Sequence, residues 1–315
     1  MKVNLQLPKS GAPITLGVLV AVTVTFNPDL AILERQLQSL QAVDVVVLVD
    51  NGSRPELIAG ITLLIADTPR VHLLKNDTNL GLAAALNRGI SEARLINSDV
   101  DAVLLLDQDS LFSPETPRYL LEALNAVQEA SGTLCCVGPA LIDTGTGAAH
   151  GFHHIIGGWR WARMYPAQDS PAVSVVNLNG SGTTMPIALV DAIGGLDEAL
   201  FIDHVDTEWA FRAMFHGAHL YGIPWLAFEH NMGEKVRRIW FFSWRVWPER
   251  SPLRHYYLFR NTVRLIRRPY VPKVWKGWAL VKLIVDTLIT TAIDTRRGQQ
   301  LRMMYRGFVE GWRKL

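Results

Sequence analysis

Asp107-Gln108-Asp109 sets two carboxylates one residue apart, directly after the apolar run Val100–Leu106. If the chain stays extended there, both side chains turn to one side. Such a pair suits a hard divalent cation, which takes carboxylate oxygens and leaves positions for phosphate oxygens and water. The chain supplies its own control: Asp99 and Asp101 share the spacing but precede Val103–Leu106, where solvated surface is the expected role. Other apolar runs also end in small polar or acidic residues. Leu16–Thr25 leads to Asn27, Val43–Val49 to Asp50, Asn51 and Ser53, and Val71–Leu74 to Asn76 and Asn79. Asp, Asn and Gly favour turns in any case, and Asn51-Gly52 alone reads that way. Four such ends together point to one polar cleft able to hold a nucleoside diphosphate through a cation.

The elements that must position these residues alternate in type. Between the apolar runs, Leu30–Leu40, Gly81–Ala93 and the stretch from Pro114 to Glu129 have helical spacing. Continuous apolar strands alternating with helices predict a mostly parallel α/β sheet covered on both faces. Ligands of such sheets bind beyond the carboxyl ends of the strands, where the polar residues fall. No GxxxxGK[ST] loop is present and no GxGxxG follows the first run, so P-loop hydrolase and dinucleotide folds are unsupported. Later, Gly180–Thr184 reads as a small-residue turn, Asp206–His216 as a helix and Leu220–Phe228 as a strand.

The 315 residues, 49% hydrophobic and 19% charged, exclude a disordered chain or a disulfide-dense mini-protein. The net charge of +2 conceals an asymmetry. Residues 1–249 carry 16 basic and 26 acidic side chains, and residues 250–315 carry 15 and 3. Cys135 and Cys136 are adjacent and read as buried thiols of a reducing compartment. Lys2 and Lys9 precede an uncharged run, but a first strand fits it better than a signal peptide. No uncharged apolar segment reaches the ~18–20 residues of a spanning helix.

The motifs and their order resemble the family-2 glycosyltransferases of the GT-A fold over roughly residues 16–262. Thr25-Phe26-Asn27, Val49-Asp50-Asn51-Gly52-Ser53, Asn79-Leu80-Gly81 leading to Asn87-Arg88-Gly89, and the DxD at Asp107–Asp109 carry the likeness. So do Leu200–Trp209 with Arg212, Phe228-Glu229-His230 with Gly233, and Arg254-His255-Tyr256-Tyr257 followed by Arg260-Asn261. The DQDS and FIDHVDTEW wordings are most similar to bacterial dTDP-L-rhamnose-dependent rhamnosyltransferases of cell-surface polysaccharide, lipopolysaccharide or rhamnolipid synthesis. The resemblance implies that Asp50 binds a pyrimidine base, with Thr25 and Asn27 nearby, and that Asn79 and Gly81 line the nucleotide pocket. Asp107 would touch the nucleotide sugar, Asp109 would ligate Mg²⁺ or Mn²⁺, and His230 would complete the metal shell. Asp206 takes the place of the catalytic base. Val205 replaces the Glu of the commoner Glu-Asp pair, leaving Asp203 and Glu208 as rival carboxylates. All three also suit the start of a helix. Trp209, Arg254, Tyr256, Tyr257 and Arg260 fall on the acceptor and tail side. The implied division is a catalytic domain over 1–250, with a nucleotide half at about 14–112 and an acceptor half at about 113–250, then an extension over 251–315.

That extension is basic and aromatic. Before it, Trp240, Phe241, Phe242, Trp244 and Trp247 crowd with Arg237, Arg238, Arg245 and Arg250. Within it, Val274, Trp278, Val281, Val285, Leu288, Ile289 and Ala292 share one helical face. Lys276, Asp286, Thr290, Asp294 and Arg297 lie opposite, while Leu280 and Leu283 stray toward the polar side. A helix of this kind lies in a membrane interface or packs on the catalytic domain. The net charge of +12 favours an anionic membrane surface, with the protein peripheral on the cytoplasmic face near a glycan or glycolipid acceptor. Long apolar stretches interleave the basic residues and no RNA- or DNA-binding motif appears, so a nucleic-acid partner is not expected.

Overall fold

The computed structural model describes residues 16–143, 147, 149–230, 236–240 and 244–313. Lys2, Lys9, Gly233, Phe241 and Phe242 lie outside the described residues. The β-branched run forms β1 (Leu19–Thr25), buried along its whole length, so helices must cover both faces of its sheet. There follow α1 (Leu30–Ser39), capped by Asp29, β2 (Val45–Asp50), α2 (Pro55–Leu64), β3 (Val71–Lys75), α3 (Leu82–Ile96) and β4 (Ala102–Asp107). Short β5 (Ser110–Phe112), α4 (Thr116–Ser131) and β6 (Cys135–Asp143) come next, then β7 (Ala149–His150), β8 (Phe152–Ile156), β9 (Arg160–Met164) and β10 (Val173–Val175). The first unit is completed by β11 (Thr184–Pro186), α5 (Ile187–Ile193), α6 (Val205–Phe215) and β12 (His219–His230).

The main sheet runs β10-β12-β6-β11-β4-β1-β2-β3, with β5 on β12 and β7 on β6. The pairs β4–β1, β1–β2, β2–β3 and β6–β12 are parallel, while β11 and β10 run antiparallel to their neighbours. The mixed α/β sheet flanked by helices is the expected architecture. Its core joins Leu33 and Leu37 of α1 and Leu120 and Leu124 of α4 to Leu48, Leu104, Leu106 and Val137 of the strands. Cys135 and Cys136 are buried free thiols in that sheet, and burial raises both their pKa values.

The chain divides into two compact units. The first runs to Phe201 and resumes over Val205–Asn231, and the second comprises Ile202–His204 and Met232–Leu315. The aromatic segment before 250 forms a hairpin, β13 (Val236–Trp240) with β14 (Trp244–Pro248). The second unit continues as α7 (Pro252–Ile266), α8 (Lys273–Ile293) and α9 (Arg297–Trp312). Helices α7 and α9 approach closely because α9 offers Gly307 and Gly311. A Cβ on Gly307 would fall within 2.3 Å of the Tyr256 carbonyl, too close for any side chain.

The inner side of α8 holds Trp275, Ala279 and Leu283, but also Asp286 and Thr290. Leu280, Val281, Ile284, Val285 and Leu288 are exposed. The expected orientation of this helix, polar side to solvent, is thus reversed for Asp286 and Thr290. His255 of α7 meets Asp286 at 3.4 Å, both almost wholly buried, and this pair draws the polar side inward. Among the described residues no helix is long and apolar enough to cross a membrane.

Candidate active site

Register brings the polar strand ends into line. Thr25 pairs with Asp50 across β1–β2, Val24 with Asp107 across β1–β4, and Asp50 with Lys75 across β2–β3. Thr25, Asp50 and Asp107 therefore sit at the same level at the carboxyl edge of the sheet, where a parallel sheet receives its ligand.

On the nucleotide side, the loops are tied by their own amides. Asn51 Oδ1 accepts from the Leu80 N–H and from Asn76 Nδ2, and Asn51 Nδ2 donates to Asn79 Oδ1 at 3.0 Å and to the Gly81 carbonyl. Asn79 Oδ1 also accepts from the Gly81 N–H, fixing the turn before α3. Gly81 has φ +89°, and a Cβ there would lie 2.6 Å from the Phe201 ring, so both conformation and space demand glycine. Asn27, at φ 48°, accepts from the Arg54 N–H and donates its own N–H to Ser53 Oγ. Asp50 is wholly buried. Its Oδ2 accepts from the Ser53 N–H at 3.0 Å and its Oδ1 from the Thr25 hydroxyl at 3.4 Å. In the structure it closes this turn.

The DxD turn is held from three sides. Gln36 of α1, buried on that helix's apolar face, donates to the carbonyls of Asp107 and Ser110 at 2.5 and 2.9 Å. Gln108, between the two aspartates, accepts from the Phe26 N–H at 2.8 Å, joining the β1 and β4 loops. Ser181 Oγ accepts from the Asp107 N–H and shares a 2.6 Å hydrogen bond with Ser110 Oγ. Asp107 and Asp109 remain half-buried. Pairing of β5 with β12 sets position 230 opposite Ser110, next to the DxD turn, while the His230 side chain lies outside the described residues. Among the described residues no three His, Cys, Asp or Glu side chains converge to hold a metal alone. The Asp107–Asp109 pair nonetheless fits a cation that takes one or two carboxylates and completes its shell with diphosphate and water.

The three rival carboxylates lie in different surroundings. Glu208, 1% exposed, is clamped by Arg212, with Nε–Oε1 at 2.9 Å and Nη2–Oε2 at 3.0 Å. Arg212 also donates to the carbonyls of Ile193 and Gly195, so the pair fastens α6 to the end of α5. Asp203, in the second unit, accepts from Arg254 Nε at 2.8 and 3.0 Å. Asp206, in the first turn of α6, forms no ion pair among the described residues. It accepts from the Thr207 N–H at 2.7 Å and the Thr207 hydroxyl at 3.3 Å, and its carboxyl lies beside Gly180. Burial raises the Asp206 pKa above the ordinary carboxylate value, and the nearby charge of Asp107 adds to the rise. Gly180 precedes Ser181, which receives the Asp107 N–H, so the Asp206 carboxyl lies on the segment that holds the DxD turn.

Several residues grouped with the acceptor side are held by contacts within the protein. Trp209 is buried, and its indole N–H donates to the Gly194 carbonyl at 3.1 Å. Tyr256 donates to Glu310, and Arg260 stacks over Tyr256 and Tyr257 at 5.5 and 4.8 Å inside the helical unit. Sequence reasoning passed over Gln36, Gln108 and Ser181. The signals were a polar residue on the core face of α1 and the small-residue cluster Gly180-Ser181-Gly182.

Known proteins share this fold. The fold aligns over 94% of the chain with GalNAc-T7 solved with UDP, GalNAc and Mn²⁺ (TM-score 0.58, 15% identity), spanning 56% of that chain. It aligns equally with S. aureus TarS 1–349 in complex with UDP (TM-score 0.57, 14% identity, 81% of that chain). The mannosyltransferase PcManGT from Pyrobaculum calidifontis, in complex with GDP-Man and Mn²⁺, aligns over 97% of this chain and 88% of its own (TM-score 0.53, 13% identity). Identities this low show the fold, which is GT-A-like. Residues 20–165 match the model of glycosyl transferase family 2. With this match on a GT-A-like sheet, the chain is a glycosyltransferase. More particularly, it is 28% identical over 295 residues to the dTDP-rhamnosyl transferase RfbF of Shigella flexneri, which covers 93% of this chain and 95% of that protein.

Proposed function

We propose that the protein moves L-rhamnose from dTDP-L-rhamnose to a hydroxyl of a glycan or glycolipid acceptor, with inversion at the anomeric carbon, at the cytoplasmic face of a membrane. The observation that carries the reading is that the Asp206 carboxyl, with no ion pair among the described residues, lies beside Gly180, next to the Ser181 that receives the Asp107 N–H. The acceptor hydroxyl attacks C1, and its proton passes to Asp206 as the new C1–O bond forms. The bond from C1 to the diphosphate oxygen breaks, and its electron pair leaves with dTDP. Asp107 and Asp109, with His230 at the adjacent strand position, would hold a divalent cation, Mg²⁺ or Mn²⁺, which when bound would supply charge stabilisation for that leaving group. The Thr25, Asn27, Asp50, Asn79 and Gly81 loops hold the nucleoside, with Asp50 closing the Ser53 turn around it. The 28% relative supports the dTDP-sugar donor.

Titration calorimetry with dTDP, UDP and GDP, each with and without Mn²⁺, tests the donor. Metal-dependent preference for dTDP is expected. Preference for UDP keeps the enzyme class and replaces the sugar, and binding of none overturns the reading. Asp206→Asn is expected to lower turnover about 10²–10⁴-fold, the usual worth of a positioned base, while dTDP affinity stays within a few-fold. Near-normal turnover would remove Asp206 from the role.

A further inference from the structure

Helix α8 is turned the wrong way round for a helix that only packs on its own unit. Its exposed strip is Leu280, Val281, Ile284, Val285 and Leu288, positions that recur on one face at i, i+4 and i+8. Val281 and Ile284 are 60% exposed and Leu288 65%. Single exposed apolar residues need no explanation, but five in register on one face do. Lys273 and Gly277 continue the strip toward the N-terminus, both exposed. Lys282 borders it, its ammonium 5.0 Å from the Trp278 ring. Asp286 is the only acidic residue of the helix, and it is turned inward against His255. The outward face is therefore apolar, edged with cations and free of carboxylates.

We propose that this face of α8 seats in the headgroup–acyl boundary of an anionic bilayer, with the helix lying in the membrane plane. The chemistry fits an interfacial helix: an apolar strip, an aromatic residue and cations at its edge. The strip from Leu280 to Leu288 runs about 12 Å at 1.5 Å per residue, which suits lying flat and not crossing. A second copy of the chain fits less well. Symmetric pairing through this strip would bring the Lys282 of both copies near one another with no acid on the outward face of α8 between them, whereas an anionic surface attracts this cationic edge. The proposal draws on the glycolipid-acceptor reading for its purpose alone, and its test is separate from that of the reaction.

The test is sedimentation of the full chain with vesicles of phosphatidylcholine alone or with added phosphatidylglycerol. Binding to the anionic vesicles is expected to be at least tenfold tighter and to weaken with salt. Ile284→Glu with Leu288→Glu should lower it at least tenfold, with unchanged Tm and unchanged dTDP binding. Because Cys135 and Cys136 are buried, a polarity-sensitive dye can be directed to Val281→Cys, and its emission should shift to the blue only with anionic vesicles. Equal vesicle binding by wild type and the double variant overturns the proposal. So does a wild-type dimer that ignores vesicles and dissociates in the double variant. If dTDP fails to bind while vesicle binding and its loss in the variant persist, the reaction is misread and the surface stands.

Discussion

A general base works best when its pKa is drawn toward the working pH, and the surroundings of Asp206 do this by burial and by the charge of Asp107. Hydrogen bonds from Thr207 act in the opposite direction. Thr207→Val removes the hydroxyl bond at 3.3 Å and keeps the backbone one. The acidic limb of the kcat/KM profile should then move to higher pH by a fraction of a unit, and an unmoved limb would show that another group controls it. Glu208, two residues on, illustrates why spacing alone left the base open. Neighbours two apart on a helix do not share a face, so one carboxylate stays by the DxD turn while the other is consumed by Arg212. That difference depends on what α5 offers Arg212, which no local pattern in α6 reveals.

At the scale of elements, the turn before α6 and the α7–α8 packing decide most. Phe201, Asp203 and His204 all have positive φ, a conformation disfavoured for residues other than glycine. Within the helical unit, Asn261 holds the last part of this turn by donating to the carbonyls of Ile202 and Asp203, and His204 Nε2 meets Thr262 Oγ1 at 3.0 Å. Burial, with Lys282 and Arg250 adding to it against the opposing pull of Asp203, brings the His204 pKa from 6.5 to about 4. Between those values the unfolded chain binds a proton that the folded unit refuses, so stability is full above pH 6.5 and falls as pH drops toward 4. The loss amounts to at most about 3 kcal/mol at 1.36 kcal/mol per unit. Denaturant titrations from pH 7.5 to 4.5 should show it, and His204→Gln should flatten that slope. Gln300 of α9 uses its amide nitrogen on the Arg250 carbonyl and Asp294, so its Oε1 accepts a hydrogen bond from His255 Nδ1–H at 2.7 Å. The other ring nitrogen is thereby aimed at Asp286. His255→Ala leaves that carboxylate buried without its partner and should cost about 3–5 kcal/mol in urea unfolding. His255→Leu combined with Asp286→Leu should cost clearly less, because no orphaned charge remains. Equal losses in the two variants would show that packing, and not charge, sets the cost.

At the scale of the whole molecule, the amino-acid sequence by itself determined the sheet, its alternation with helices and the level at which the polar residues gather. Apolar runs that end in Asp or Asn carry the buried strand and its ligand end in the same few residues, so Thr25, Asp50 and Asp107 could be placed from their own neighbourhoods. It also fixed the charge asymmetry, with +12 concentrated in residues 250–315. Only the tertiary structure decided what depends on distant partners. The aromatic segment before 250 pairs as the hairpin β13–β14, within the unit that holds the helices after it. Trp209 and Tyr256 are buried, and the Gly194 carbonyl and Glu310, remote in sequence, receive their polar ends. The polar side of α8 faces inward because a histidine on another helix meets its aspartate, and the apolar side is left to face out. A hydrophobic pattern records which residues share a face. Which face is buried is set by the partner that satisfies its polar groups, and that partner is chosen by the fold.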